Sequence, residues 1–389
     1  TCFENKLSSH MKICNARERM DKPFFVKRIN EGENEDDDGD ASCSSSSRFK
    51  DLTDEELMEY IRKIEKIYDE SIDTIELRIN DHPAVGDALS RPGIGHSVIR
   101  HLKQNSSLLS LLEDKDLLNG GKDKVFVEFG AGRGKLTGWV IEAVKKKEDT
   151  LFILIDKGSQ RYKIDAKLKH DLLNPSYLIV KYFEVVIDFS LRKFKKIKRL
   201  RVDIQDLDLS RVEGIEENSE IVVCGKHLCG AATDFSLRCI TNCGKGSTCG
   251  IVIALCCHHR CTWKAYVGKK FLKEVGFSGK DFPVLVSLSS WAVSGSRQSV
   301  VNKEQLELSD EEKEIPSTPE PNINENRYER MGLSIDYRES IGRKVKAIID
   351  HGRVEYVNNN HDLKSTLVQY VEQISTLENI ALVAYGNTL

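Results

Sequence analysis

The sequence has no apolar run approaching the roughly 20 residues that an α-helix needs to cross a bilayer. That excludes a helical membrane span and sets the expectation of no membrane partner. It also lacks a charged-then-apolar N-terminal segment of the secretory kind, so an intracellular protein, in the nucleus or the cytoplasm, is expected. An even set of spaced cysteines is missing too. There are 11, an odd number gathered late in the chain, which argues against a disulfide framework. Reduced thiols, metal ligands or small packing residues are the readings left open. There is no internal repeat. Nor is there an overall positive charge of the kind that marks many nucleic-acid binders, since the formal net charge is −3.

What is present begins with the distribution of that charge. Residues 31–40 hold seven acids and no base, and residues 304–320 hold seven acids and one Lys. Without those two stretches the net charge becomes +10. A basic body with acidic appendages fits a polyanionic partner, although two solvated loops on an ordinary enzyme would have the same composition. With 389 residues, 40% of them hydrophobic, the chain can build one large core plus small additions.

Changes of pattern along the chain suggest its organisation. Residues 1–22 are a short Cys- and His-containing piece, and 23–50, acidic then Ser-rich, read as a disordered linker. A helical segment is expected over 51–115. In it Thr53 and Glu56 form a capping box, with Leu57, Ile61, Ile64 and Tyr68 following at helical spacing. That spacing predicts helices over 53–77 and 95–114. From 116 to 389 short Val- and Ile-rich runs alternate with helical stretches. Strands are predicted at 124–130, 151–156, 200–205, 220–225, 250–257 and 379–386, a helix at 335–351, and a disordered insertion at 303–328. The fold class expected is α/β, Rossmann-like, with a doubly wound, mostly parallel sheet buried on both faces.

The most informative segment is Glu128-Phe129-Gly130-Ala131-Gly132-Arg133-Gly134, between the first strand and the next helix. Glycines there let the backbone turn sharply and approach a ligand, and the N–H groups at the helix start face it. The spacing is E-x-G-x-G-x-G, not the G-x-G-x-x-G of dinucleotide folds, and no Lys-Ser/Thr pair of a phosphate loop follows. Glu128 would repel a pyrophosphate but suits a cationic ligand such as S-adenosylmethionine. Asp156, 22 residues after Gly134, ends the second strand, where a carboxylate can accept ribose hydroxyls. Asp203, with Ile204 beside it, ends the third predicted strand, within reach of an adenine. Glu128, Gly130, Ala131, Gly132, Gly134, Asp156, Asp203 and Ile204 are therefore the candidate cofactor-binding residues.

Two further clusters fall at strand ends. Lys226 and His227 follow the fourth strand, and Cys256-Cys257-His258-His259-Arg260-Cys261 follows the fifth. The carboxyl ends of strands in a doubly wound sheet line the ligand crevice, so both clusters should converge there. Lys226, His227, His258 and His259 can take or orient the proton of an attacking hydroxyl, and Arg260 can hold a phosphate. They are the candidate catalytic residues. Cys256 and Cys257 can equally be small buried strand-end residues. A metal site from Cys256, Cys257, His258 and Cys261 is a third reading, weakened by the lack of C-x2–4-C spacing. Cys239, Cys243 and Cys249 read as packing residues.

Residues 127–139 (VEFGAGRGKLTGW), 225–239 (GKHLCGAATDFSLRC), 250–269 (GIVIALCCHHRCTWKAYVGK) and 289–292 (SSWA) closely resemble the tRNA 2′-O-methyltransferase family that modifies nucleotide 4 of the acceptor stem. The resemblance implies S-adenosylmethionine as donor, a tRNA acceptor stem as partner, and a ribose 2′-hydroxyl as nucleophile. No protein partner is expected. It also implies N-terminal zinc modules, one of the form C-x5-H-x9-H-x3-C. His10 and Cys14 match its last two ligands, while the His before them would fall ahead of Thr1. Structural zinc is therefore expected at an incomplete site. The chain departs from the family at 174–192, an apolar insertion whose basic flank, seven Lys and Arg within 192–201, can touch RNA. The alternative of another class is a non-catalytic zinc-finger RNA-binding protein with a vestigial cofactor loop. Methylation of a protein or small molecule is a third, less suited to a basic body.

Overall fold

The computed structural model describes residues 22–33, 45–158, 196–293 and 325–386. The expected zinc ligands His10 and Cys14, the insertion at 174–192 and the stretch 303–324 lie outside those residues. Eight strands are β1 (Glu76–Leu77), β2 (Lys124–Phe129), β3 (Leu151–Asp156), β4 (Ile197–Arg201), β5 (Glu220–Cys229), β6 (Ser247–Cys256), β7 (Lys364–Gln369) and β8 (Ile380–Tyr385). The helices are α1 (Ser45–Asp51), α2 (Asp54–Ser71), α3 (Pro83–Leu89), α4 (His96–Glu113), α5 (Lys135–Ala143), α6 (Ala231–Thr241), α7 (Lys269–Glu274), α8 (Phe282–Ser289), α9 (Glu325–Arg330) and α10 (Ile335–Asn360).

All strands join one sheet of order β1-β7-β8-β6-β5-β2-β3-β4. Every pairing is parallel except those of β8, which runs antiparallel to both β6 and β7. The chain moves outward from β2 through β3 to β4, then returns to lay β5 on the other flank of β2. The direction of winding therefore reverses between β2 and β5, and the carboxyl ends of these strands are where doubly wound sheets place their ligands.

Period-2 alternation explains why the sheet is apolar on both faces. Phe126, Val222, Cys224, Val252 and Ala254 enter one core with α3, α4 and α5. Val125, Val127, Phe129, Ile221, Val223, Ile251 and Ile253 enter the other, with α6 and part of α10. A third cluster joins Leu57, Ile61 and Ile64 of α2 to Trp263, Tyr266, α8 and α10. The capping box forms: the Glu56 N–H donates to Thr53 Oγ1 at 3.2 Å, and the Thr53 N–H to Glu56 Oε2 at 2.8 Å.

Several boundaries differ from expectation. The predicted helix 53–77 stops at Ser71, because Ile72 is extended and residues 76–77 pair in parallel with β7. Within the expected helical segment, α4 covers one sheet face. The expected linker 23–50 begins as a strap. Val26 and Asn30 N–H groups donate to Asp206 and Gln205 carbonyls at 2.8 and 2.9 Å, and Asn30 is fully buried. The third strand is 197–201 rather than 200–205. Part of the basic run forms it, with Lys198 donating to the Glu213 carbonyl at 2.7 Å and Arg199 to that of Gly132 at 2.8 Å.

Candidate active site

The glycine loop joins β2 to α5 at the winding reversal. Gly130, Gly132 and Gly134 have φ of +63°, +50° and +80°, a region that side-chain-bearing residues rarely adopt. A β-carbon on Gly130 would lie 2.8 Å from Leu228, whereas one on Gly132 would meet nothing within 4 Å. The loop is thus pressed against β5 on one side and open at Gly132.

Asp156, the last residue of β3, fixes this loop. Its Oδ2 accepts from the Gly132 N–H at 2.8 Å and its Oδ1 from the Gly158 N–H at 2.6 Å. The Ala131 N–H donates to the Ile155 carbonyl at 2.9 Å, so the loop is tied to β3 along its length. Asp203 follows β4 instead of ending it and caps a 3-10 turn, accepting from the Gln205 N–H at 3.2 Å. Its side chain is 42% exposed, 3.8 Å from Lys157 Nζ. Ile204 is buried behind it.

Glu128 does not present its carboxylate to an open ligand face. It is buried, and Oε2 accepts from both the N–H and the hydroxyl of Thr137 in the first turn of α5. Burial is the largest influence on it and pushes its pKa up to about 7, against the pull of Thr137, Arg199 and Lys226.

Lys226 lies in β5, beside this loop. Its ammonium is buried and donates to Asn105 Oδ1 of α4 at 3.1 Å. Desolvation, then the charge of Lys135, brings its pKa down to about 8. His227 interrupts the β5–β6 register with φ +66°, and its ring meets His101 edge-on at 6.3 Å. His227 is exposed at the surface, but the crowding around its ring and the neighbouring Lys226 charge lower its pKa, which favours the neutral imidazole.

The cluster after β6 splits apart. His259 and Arg260 are exposed on a 3-10 turn. His258 is 2% exposed, and its Nε2 lies 2.8 Å from each Asp350 oxygen of α10. Arg353 Nη1 donates to Asp350 at 2.9 Å, while its Nε and Nη2 grip Asp234 of α6 at 3.1 and 2.7 Å. Burial opposes charge on Asp350, but His258 and Arg353 hold its carboxyl below the usual range. His258, expected at the acceptor, is instead taken up in this buried network, through Nε2 alone, its Nδ1 being buried without a hydrogen-bond partner. Cys261 joins that network, 3.2 Å from Arg353 Nη2, so the quartet of Cys256, Cys257, His258 and Cys261 does not assemble. Cys229 converges with Cys256 and Cys257 in its place. Cys239 and Cys249 are packed, with their thiols near the Leu207 and Ile221 carbonyls.

Sequence reasoning passed over Thr137, Asn105, Arg199, Asp234, Asp350 and Arg353. Only Asn105 had a visible signal, the polar run 104–107 inside an otherwise leucine-rich helix. Among the described residues, no helix is long and apolar enough to cross a membrane.

Residues 103–385 match the family model described as methyltransferase TRM13. The chain is 32% identical to the tRNA:m(4)X modification enzyme TRM13 homolog of Mus musculus, covering 99% of this chain and 84% of that protein. It is 31% identical to the Homo sapiens homolog, with 100% and 85% covered. For the Schizosaccharomyces pombe enzyme the values are 32%, 99% and 92%. A solved structure, a putative sarcosine dimethylglycine methyltransferase from Galdieria sulphuraria, aligns at a TM-score of 0.24 and 8% identity, covering 74% of this chain and 86% of that one.

Proposed function

The chain belongs to the TRM13 methyltransferase family, and on that premise we propose that it methylates the ribose 2′-hydroxyl of nucleotide 4 in the tRNA acceptor stem, with S-adenosylmethionine as donor. The relatives' description as tRNA:m(4)X modification enzymes supports a tRNA substrate. So does the +10 charge left when the two acidic stretches are set aside.

The donor supplies an electrophilic methyl group on a sulfonium. The residues present fit it, for the loop is open at Gly132 and two carboxylates follow it across the sheet, Asp156 at the end of β3 and Asp203 just beyond β4. Gly130, Ala131, Gly132 and Gly134 back the loop. Asp156 keeps acceptor capacity beyond its two backbone N–H partners and takes the ribose hydroxyls. Asp203 and Ile204 border the base. Glu128 acts through Thr137, fixing the start of α5 and with it the loop.

On the acceptor side Lys226 is the group that takes the 2′-hydroxyl proton. Asn105 orients its amine, and burial keeps part of it neutral near pH 8. His227, His259 and Arg260 stand exposed for the RNA, Arg260 for a phosphate. His258 positions the turn that carries the last two.

The observation that carries this reading is the Gly132 N–H held on Asp156 at a point where the loop faces open space. The test is transfer of radiolabelled methyl to unmodified tRNA by the wild type, Asp156→Ala and Lys226→Ala, with the product mapped by mass spectrometry. Label on the ribose of nucleotide 4, lost in both variants, is expected. Undiminished transfer by both variants, or label elsewhere, overturns it.

A further inference from the structure

We infer that Cys229, Cys256 and Cys257 form a site for one zinc ion, held by three thiolates at the carboxyl rim of β5 and β6. Their sulfur atoms all lie within 4.8 Å of one another. Cys229 and Cys256 sulfurs are 4.0 Å apart. Tetrahedral coordination with Zn–S of about 2.3 Å sets sulfurs roughly 3.8 Å apart, so an ion fits with little movement.

Two backbone irregularities create the convergence. The register of β5 on β6 shifts between Gly225 and Leu228, at His227 with its φ of +66°, and this brings Cys229 directly opposite Cys256. Consecutive residues of a strand point to opposite faces, so Cys256 and Cys257 should diverge. Cys257 instead has φ +53° and ψ +43°, a left-handed turn that returns its sulfur to the same point. A cysteine held in a conformation that glycine adopts more easily is a constraint in search of a cause. A disulfide needs only two of these thiols, whereas a soft ion uses all three.

Among the described residues no His, Asp or Glu joins the three sulfurs as a fourth donor. Three thiolates leave one position of a tetrahedral ion for a solvent ligand. Binding releases the thiol protons to solvent and changes no oxidation state. The ion braces the end of β5, with His227, against the turn that carries Arg260. This site uses none of the residues of the module implied by His10 and Cys14, and it does not depend on the methyl acceptor.

The full chain in a Cys2→Ser, Cys14→Ser background removes the thiols of the N-terminal piece. Stripped of metal under reducing conditions, it is titrated with Co2+, read as thiolate-to-cobalt charge-transfer absorption, then displaced with Zn2+. One equivalent per chain is expected. Cys229→Ser and Cys257→Ser should each weaken binding at least tenfold, and Cys243→Ser should leave it unchanged, with circular dichroism checking the fold of each. If Cys229→Ser fails to fold, Cys257→Ser carries the comparison. Absence of stoichiometric uptake overturns the site, as does uptake indifferent to both substitutions. So does a Cys229–Cys256 disulfide whose reduction restores no metal binding.

Discussion

At the glycine loop two carboxylates stay within reach of a ligand, Asp203 being 42% exposed and Asp156 only partly covered. Beyond β6, His258, Asp350, Arg353 and Asp234 are no more than 2% exposed and face one another. Both sets sit on or behind strand ends of the same sheet. In the first, backbone N–H groups hold the carboxylates and leave lone pairs over, which is what a binding site requires. In the second, each charge meets its opposite, and the network ties α6, α10 and the turn after β6 together. A buried charge network is a poor source of net stability, yet breaking it is costly. A motif rich in His and Cys can therefore belong to the frame of a site as well as to its chemistry.

The sharpest way to break that contrast is Arg353→Ala. It would leave Asp234 and Asp350 buried without their partner, and a loss of about 3–5 kcal/mol in urea unfolding is expected. A loss under about 1 kcal/mol would mean that the closed set is no frame. Next is Asp156→Ala. Calorimetry with S-adenosylmethionine should record an affinity drop of about 10- to 100-fold, as for losing a charged hydrogen bond of about 1.5–3 kcal/mol. Stability should fall by less than in Arg353→Ala, by about 1–2 kcal/mol, because the two backbone N–H groups released at this partly exposed site can turn to water. Unchanged affinity would erase the distinction from the other side.

A smaller effect tests Glu128, the one buried acid of the loop. Its folded pKa of about 7 exceeds the ordinary 4.5, so the folded chain holds the proton more tightly across that window. Stability contributed by the protonated form is therefore complete below about 4.5 and is lost as pH rises to about 7. Glu128→Gln should consequently stabilise the protein by on the order of 1–2 kcal/mol at pH 8 and by little at pH 5, followed by thermal unfolding at both. A pH-independent difference would contradict the burial of its charge. The smallest effect is expected of His259→Ala, exposed next to the buried His258. Its stability should stay within about 0.5 kcal/mol of wild type.

Local pattern read well wherever one segment carried its own signal. The strand 151–156 matches residue for residue, the capping box at Thr53 forms, and the three glycines adopt the left-handed backbone their spacing suggested. It read poorly where an end depended on a distant partner. The third strand came out three residues early because apolar Val202 and Ile204 look like strand but serve a turn under the strap of residues 22–33. The pairing of Cys229 with Cys256 and Cys257 rests on a register shift that no spacing displays.

The strands β2, β3, β5, β6 and β8, the loop conformation and the acid at the end of β3 were settled by the sequence, because each follows from the periodicity or backbone freedom of neighbouring residues, whereas β1, β7 and the short helices α3, α7 and α8 were not. Which strand-end side chains face a ligand and which face the core was decided only by the fold. Burial, and with it the pKa of Lys226 or the pairing of His258 with Asp350, depends on groups 92 to 121 residues away in the chain. Those groups meet only when the helices close over the sheet.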